Sequence, residues 1–343
     1  MAAKGFGKIN LSEKLDQLTT SKANESKETK HKKNKAKETV DSEENPSEKS
    51  KSSKSHNSSS KLTDSLDVIK QRVMANATEE MVLAWKYQPI HVASALNLID
   101  EMKLLFAFGG TVDQLDANEC TALHRAAENG SVLACEMLIQ HKANVDARDV
   151  DQMTPLMYAA LNGQGAAIRF LLEKDAHIDA KDKDGWNALH WATKIADRAT
   201  VKILVDNKIN IDSTTQDGST PLHVAAENED LEVLELIWRI TKDKERRDNF
   251  CRTPLHNAVA EGHLHILDFL YDHGCEKEPL DRDLSSPLHL AAYEGNATVV
   301  GYLLQKGLDP DLEDKYGETP IDIAKTGEHQ DVVKLLNDMK LKK

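Results

Sequence analysis

Apolar and polar positions along the chain repeat with a fixed period of 33 residues from residue 88 onward. In each period, a phrase of the type Thr-Pro-Leu-His opens an apolar stretch with helical spacing, and a second apolar stretch follows. The eight phrases begin at Gln88, Thr121, Thr154, Asn187, Thr220, Thr253, Ser286 and Thr319. Because such a period indicates one supersecondary unit stacked on its copies, the pattern predicts a solenoid.

Each period is predicted to fold as a pair of short helices. The first residue of the phrase, the anchor, is Thr or Ser in six of eight repeats, and Pro follows it in six of eight. These are the residues preferred at a helix N-cap and at the first helical position. The fifth residue after the anchor is always Ala, which predicts close helix packing. Glycines such as Gly130 and Gly262 are predicted to end the first helix, whereas Ala196 and Glu229 stand at this position in the fourth and fifth repeats.

Each second helix is followed by a polar stretch, such as residues 179–185, whose Asp, Lys and Gly content favours a turn. The phrase, the following Gly and the later Leu pair resemble the ankyrin-repeat family over about residues 85–343. The resemblance implies an all-α solenoid of stacked helix pairs with projecting β-hairpin fingers. It also implies that the protein binds other proteins on a concave face built from fingers and first helices.

Composition divides the chain into three parts. Residues 1–61 are rich in Lys, Ser and Glu and are predicted to be a disordered tail, because they offer little apolar surface to bury. Residues 62–84 contain an amphipathic pattern and are predicted to form a helical N-terminal cap. Residues 85–343 form the predicted ankyrin-repeat domain of eight repeats. Its last repeat carries Asp322 and Lys325 and is expected to be a polar C-terminal cap.

Charge is distributed unevenly between the tail and the repeats. Residues 1–60 hold 13 Lys and 9 Asp or Glu, a balance of +4, so the net charge of −13 leaves −17 on the remainder. An acidic body is a poor binder of nucleic acid and suits basic protein partners better. A basic run in the tail is a candidate nuclear import signal, with a solvated charged segment as the alternative. Its lysines are Lys32, Lys33, Lys35 and Lys37.

The sequence offers no chemistry that indicates an enzyme, a metal site or a cofactor. The histidines at the fourth position of the phrase recur every 33 residues, which favours a packing role in each repeat over metal ligation. The four cysteines are far apart, which suggests a reducing compartment. No apolar run reaches the length of a membrane span, and the chain is expected to be a monomer that does not insert into membranes.

The third and fourth repeats carry the best candidate for a binding site. The resemblance implies that residues one before, four after and seven after each anchor face the concave side. There, aromatic and apolar residues meet a charged rim, which is typical of binding hot spots. The predicted site comprises Met153, Tyr158, Leu161, Trp186, Trp191, Lys194, Glu128, Asp184, Asp217 and Glu227. The alternative is that Trp186 and Trp191 pack on each other as partly buried scaffold.

These observations predict a non-catalytic intracellular adaptor that grips a basic-amphipathic peptide or helix of a partner protein. The alternative is a regulatory inhibitor that masks a functional site of its partner. The adaptor is expected in the cytoplasm, and the basic run would extend its distribution to the nucleus.

Overall fold

The computed structural model describes residues 59–76 and 88–340 of the chain. Within those residues, helices are the regular elements. They are α1 (Ser59–Ala75), α2 (Pro89–Ala95), α3 (Ile99–Ala107), α4 (Ala122–Glu128), α5 (Val132–Gln140), α6 (Pro155–Leu161), α7 (Gly165–Glu173), α8 (Ala188–Lys194), α9 (Arg198–Asp206), α10 (Pro221–Glu227), α11 (Leu231–Ile240), α12 (Pro254–Glu261), α13 (Leu264–Asp272), α14 (Pro287–Tyr293), α15 (Ala297–Gln305), α16 (Pro320–Thr326) and α17 (Gln330–Lys340). The predicted all-α repeat architecture is therefore confirmed.

From α2 onward, each even-numbered helix is the first helix of a repeat, and the next odd-numbered helix is its second. The first helices stack side by side, and each also packs against the second helix of its own repeat. The alanine five residues after every anchor is fully buried at this stack. The row consists of Ala93, Ala126, Ala159, Ala192, Ala225, Ala258, Ala291 and Ala324. A larger side chain at a fully buried position between packed helices would overpack the core, which accounts for the constant alanine.

Four of the six phrase histidines, His91, His124, His223 and His289, join consecutive repeats through a hydrogen bond of Nε2. His124 Nδ1 accepts a hydrogen bond from the backbone N–H of its anchor Thr121 at 3.0 Å, so Nε2 carries the ring proton. Nε2 then donates to the carbonyl oxygen of Met153 in the next repeat at 3.1 Å. Burial holds the imidazole neutral and lowers the pKa of His124 to about 4. All six of these histidines are buried, as a packing role requires, although Nε2 of His190 and of His256 has no hydrogen-bond partner among the described residues.

The first helices end as the glycine pattern predicts. Gly130, Gly163, Gly262 and Gly295 all adopt left-handed backbone conformations, with φ of 68°, 66°, 83° and 69°. Ala196 takes the same conformation without being glycine, at φ 55°. In the repeat that carries Glu229, the helix instead ends at an extended Asn228, whose side-chain amide donates to the Thr193 carbonyl oxygen at 2.5 Å.

The loops between repeats, called fingers here, are tight turns, and the part of the chain that the structure describes contains no strand. In the finger before α8, the Asp182 N–H donates to Trp186 O at 2.9 Å, and the Gly185 N–H donates to Asp182 O at 3.1 Å. Adjacent fingers are also bonded: the Lys183 N–H donates to Asp151 O of the preceding finger at 2.9 Å. The predicted β-hairpins are thus turns joined into a continuous row.

Both ends of the stack are closed by helices with a buried apolar side. Ile69 and Val73 of α1 are buried, and Arg72 pairs with Glu101 of α3 at 2.7 Å. Helix α1 begins at Ser59, before the predicted start of the N-terminal cap at residue 62. The bounds of the predicted tail and cap stay predictions from the sequence. The rest of that tail and its basic run lie outside the described residues. Among the described helices, none is long and apolar enough to cross a membrane.

In the last repeat, an aspartate replaces the histidine of the phrase. Asp322 occupies the position of the histidine, and its Oδ2 accepts from the Thr319 hydroxyl at 2.6 Å. Asp322 therefore completes the bond to the anchor residue that the histidine makes in other repeats. Lys325 pairs with Asp322 Oδ1 at 3.1 Å on the exposed side.

Candidate protein-binding face

The first helices and the fingers together form one face of the stack, called the finger–helix face here. In the second, third and fourth repeats, the side chain four residues after the anchor bonds to an aspartate of its own finger. Arg125 Nε donates to Asp116 at 2.9 Å, and the Tyr158 hydroxyl donates to Asp149 at 2.8 Å. Trp191 continues the series, with its indole N–H donating to an Asp182 oxygen at 3.1 Å. These bonds fix the three large side chains on the face.

The finger aspartates can act in this way because they also hold the turns together. Asp182 Oδ1 accepts the backbone N–H groups of Asp184 and Trp186 at 2.9 and 2.8 Å, which leaves Oδ2 for the Trp191 indole. Burial nevertheless raises the pKa of Asp182, because loss of water outweighs these hydrogen bonds. The aspartate is therefore committed to internal structure and is a poor candidate for a partner contact.

The predicted aromatic and apolar residues do come together. Met153, Met157 and Ala180 form a small buried cluster separate from the main core, and Tyr158, Leu161 and Trp191 pack against it. Met157 stands where most repeats have histidine, so this repeat gains apolar volume where the others hold a polar ring. Trp186 extends the cluster outward, with its ring 4.8 Å from that of Trp191 and tilted by 41°. We call these side chains the tryptophan region. They are Met153, Met157, Tyr158, Leu161, Ala180, Trp186 and Trp191.

Exposure differs among the members of the tryptophan region. Met153 is buried, whereas Tyr158, Leu161, Trp186 and Trp191 are half-buried. Tyr158 and Trp191 already use their polar atoms on finger aspartates. No hydrogen bond involves the Trp186 indole N–H among the described residues, so its ring edge is the directed donor that the region offers to a partner.

The predicted charged rim is partly neutralised within the domain. Arg125 lies 2.9 Å from Glu128 as well as 2.5 Å from Asp116. Lys194 pairs with Glu227 at 3.2 Å, and burial raises the pKa of the Glu227 carboxyl despite that lysine. The charges of Glu128 and Glu227 are thus partly neutralised by neighbouring cations of the same domain.

Two rim carboxylates are more available. Asp184 and Asp217 are exposed on consecutive fingers, and neither forms an ion pair within the described residues. Asp217 Oδ1 accepts a hydrogen bond from the Thr215 hydroxyl of its own finger, and its Oδ2 accepts a longer one from the Ser219 hydroxyl at 3.4 Å. The acidic part of the face is therefore narrower than the sequence predicted, and it lies beside Trp186.

Chemistry other than binding finds little support on this face. Cys120 is buried beneath Tyr158, with its sulfur 3.2 Å from the tyrosine hydroxyl oxygen, and burial raises the pKa of its thiol to about 12. A thiol in that state is not a nucleophile near neutral pH. The described residues also contain no cluster of side chains suited to hold a metal ion.

The repeated helix pairs, their fingers and the shared face decide the family. The model of the family described as ankyrin repeats (3 copies) matches residues 90–182, 176–248, 236–314 and 255–342. The chain belongs to the ankyrin-repeat family. Ankyrin repeats are generally protein-interaction modules. The crystal structure of the human ASB11 ankyrin repeat domain is similar at 24% sequence identity, with a TM-score of 0.55, covering 62% of this chain and 96% of that one. At that identity the similarity concerns the fold alone.

No curated protein sequence matches the chain significantly. The partner must therefore be argued from the residues of this ankyrin domain. Sequence reasoning found the tryptophan region but missed two features of the face. It did not foresee the buried pair of Arg125 and Asp116, and it passed over Arg252, a cation in a row of mostly uncharged residues. The signal for Arg252 was its position directly before an anchor.

Proposed function

We propose that this ankyrin domain is a non-catalytic adaptor that binds one segment of a partner protein on its finger–helix face, as a monomer. The observation that carries the proposal is the tryptophan region. Its side chains come from the third and fourth repeats and pack on each other, and its aromatic members remain half-exposed. Large aromatic surface of this kind, already fixed by internal bonds, loses little conformational entropy when a partner covers it.

The scaffold alternative applies unequally to the two tryptophans. Trp191 packs on the cluster and bonds to Asp182, so its role in holding the face together is large. Trp186 lies further out and retains its donor. We therefore assign the contact with the partner chiefly to Trp186, with Trp191 and Tyr158 as its support.

The chemistry of the partner near Trp186 follows from the carboxylates beside it. Asp184 and Asp217 are exposed, and the repeats carry the acidic share of the net charge. A segment with an apolar or aromatic residue next to Lys or Arg complements this surface, because opposite charges favour encounter and register. The expected partner segment is basic-amphipathic at this end.

The test is a selection of short random peptides, displayed on phage, against the full chain. Peptides with an apolar residue flanked by Lys or Arg are expected to be enriched. Trp186→Ala should weaken the selected peptides by about 30-fold, since a hot spot contributes ~2 kcal/mol or more and ~1.4 kcal/mol corresponds to tenfold. Circular dichroism should show unchanged helix content.

Tyr316→Ala is the matched control, because Tyr316 is 67% exposed on the last finger, away from the tryptophan region. The control should bind the selected peptides like the wild type. If Trp186→Ala folds normally and binds them equally well, the third and fourth repeats are not the site. If Trp186→Ala instead unfolds the domain, the scaffold role of the tryptophans prevails.

The adaptor is proposed to act in the cytoplasm and to reach the nucleus through the basic run of the tail. Changing Lys32, Lys33 and Lys35 to Ala should shift a tagged protein out of the nucleus, as seen by fluorescence microscopy. An unchanged distribution would leave the run as a solvated segment. An inhibitor, unlike an adaptor, would compete with a substrate or nucleic acid for the captured partner.

A further inference from the structure

Arg252 is an unusual cation on the finger–helix face. It stands one residue before the anchor Thr253, the position that Trp186 occupies two repeats earlier. The side chain is half-buried, and its Nε atom is buried without a hydrogen-bond partner. Its guanidinium forms no ion pair among the described residues.

The other cations of this face are treated differently. Arg125 is held by Asp116 at 2.5 Å and by Glu128 at 2.9 Å, and Lys194 is held by Glu227 at 3.2 Å. Asp248 Oδ1 accepts the backbone N–H of Arg252 at 2.8 Å, but no carboxylate pairs with the Arg252 guanidinium among the described residues. A guanidinium cannot relieve its burial by losing a proton, so leaving it unpaired costs stability.

The surroundings hold the guanidinium in place without using its N–H donors. Its central carbon lies 5.9 Å from the centre of the Phe250 ring, and that of Arg282 lies 5.5 Å from the same ring. Phe250 is 37% exposed, so this arrangement reaches the surface. An arginine held by an aromatic ring keeps its in-plane donors for a planar acceptor, and a carboxylate accepts two of them at once.

We propose that Arg252 binds the carboxylate of an Asp or Glu in the same partner segment that covers the tryptophan region. The inference rests on the proposed function, because it extends one bound segment from the fourth repeat to the sixth. The segment is then bipolar: basic and apolar beside Trp186, and acidic at Arg252. Such a charge pattern fixes the direction in which the segment lies along the stack.

The repeat spacing sets the distance between the two contacts. Helices that pack side by side are about 8–10 Å apart, so positions two repeats apart lie roughly 16–20 Å apart. An extended chain covers about 3.3–3.6 Å per residue. The acidic residue should therefore follow or precede the apolar anchor by about five or six residues.

The test is the same displayed-peptide selection, carried out with the wild type, Arg252→Gln, Arg252→Glu and a control, Arg239→Gln. Arg239 lies on the second helix α11 with its side chain 76% exposed. Wild type and control should enrich Asp or Glu about five or six residues from an apolar residue. Arg252→Gln should lose the acidic preference but keep the apolar one, and Arg252→Glu should select Lys or Arg there.

Affinity and stability measurements separate binding from structure. For a synthetic peptide from the wild-type selection, Arg252→Gln should weaken binding by about 10-fold or more, because a hydrogen bond to a charged group contributes ~1.5–3 kcal/mol. The urea midpoint of the free protein should stay the same or rise, since a buried N–H donor without a partner has been removed. A structural arginine would give the opposite result, a lower midpoint with unchanged affinity.

Several outcomes would overturn the proposal. They are an unchanged acidic preference in Arg252→Gln, no acidic preference in the wild type, and no enrichment of any peptide. Competition by a synthetic peptide of residues 1–58 that is lost in Arg252→Gln would assign the position to the chain's own tail instead. If only the proposed contact with Trp186 is wrong, the selected peptides will contain the acidic residue but no enriched apolar residue. That result would refute the proposed function as stated, and the single bound segment with it.

Discussion

Two regions of one face handle their polar groups in opposite ways. In the second to fourth repeats, Arg125, Tyr158 and Trp191 each bond to a finger aspartate. In the fifth to seventh repeats, the same row position holds Val224, Asn257 and Leu290. Arg252 lies in the neighbouring row, and its guanidinium forms no ion pair among the described residues. In the first region the three aspartate-bonded side chains are paired, although buried atoms of Asn187, His190 and Thr193 lack partners there. In the second region it is a charged side chain, Arg252, whose buried Nε atom has no partner among the described residues.

The difference teaches which residues of a repeat face serve stability and which serve binding. A satisfied buried network stabilises the free protein and has little left to offer a partner. An unsatisfied one lowers the stability of the free protein and regains the loss when a partner supplies the missing group. Arg252 belongs to the second kind through its buried Nε atom, and Trp186 offers an accessible indole N–H that no group among the described residues uses. A sequence pattern alone ranks Arg125 and Trp191 equally with them.

The largest effect is expected from removing a charged partner in the second to fourth repeats. Asp116→Asn keeps an acceptor for the turn N–H groups but removes the carboxylate that faces the buried Arg125. The unfolding free energy should fall by about 3 kcal/mol, the usual cost of breaking a buried ion pair. Urea denaturation followed by circular dichroism measures this loss.

Asp314→Asn is the matched control for that measurement. Asp314 holds the last finger through the N–H groups of Tyr316 and Glu318 at 2.8 and 3.0 Å, and it faces no arginine at the corresponding helix position. Its substitution should cost less than about 1 kcal/mol, since Asn still accepts hydrogen bonds. Equal losses in the two variants would mean that the ion pair contributes nothing.

Acid should weaken both regions, but through different histidines. Burial lowers the pKa of His124, beside Tyr158, and of His256, beside Arg252, each to about 4. An unfolded histidine titrates near 6.5, so the unfolded chain binds more protons below that pH. This contribution to stability is complete above pH 6.5 and is lost as the pH falls towards 4. At pH 5 each histidine should cost about 2 kcal/mol.

The charge of Arg252 allows the loss of stability in acid to be assigned to His256 separately from His124. After burial, its positive charge is the next cause of the lowered pKa of His256. In Arg252→Gln the pKa of His256 should rise towards its ordinary value, and less stability should be lost between pH 7 and pH 5. Urea midpoints at the two pH values measure the difference. Identical losses in variant and wild type would show that the charge of Arg252 does not reach His256.

The fold could be predicted from the sequence because its determinants are local and repeated. A Thr-Pro cap, an alanine that tolerates no extra volume and a glycine at a helix end each act within one repeat, and eight copies reinforce the pattern. The grouping of Met153 with Trp191 was also predictable, because the period places both on one face. The partial neutralisation of the rim was not, since pairs such as Lys194 and Glu227 join residues one repeat apart and depend on side-chain geometry.

The two regions also differ in how their first helices end, which allows a last and smaller test. Helix α8, which carries Trp191, ends at Ala196 with φ 55°, whereas helix α12, which follows Arg252, ends at Gly262 with φ 83°. A left-handed conformation costs a non-glycine residue about 1–2 kcal/mol, and glycine gives back part of that through its more flexible unfolded state. Ala196→Gly should therefore raise the unfolding free energy by about 0.5–1 kcal/mol.

The reciprocal change at the other helix end, Gly262→Ala, should lower stability by about 1 kcal/mol or more, because the new Cβ would also lie 2.5 Å from the Asn296 side-chain nitrogen. Both changes leave Trp186 and Arg252 untouched, so the affinity for selected peptides should be the same in the two variants. Differential scanning calorimetry gives the stabilities, and titration with one selected peptide gives the affinities. If Ala196→Gly raises stability but weakens binding, the binding geometry depends on the strained helix end beside the tryptophans.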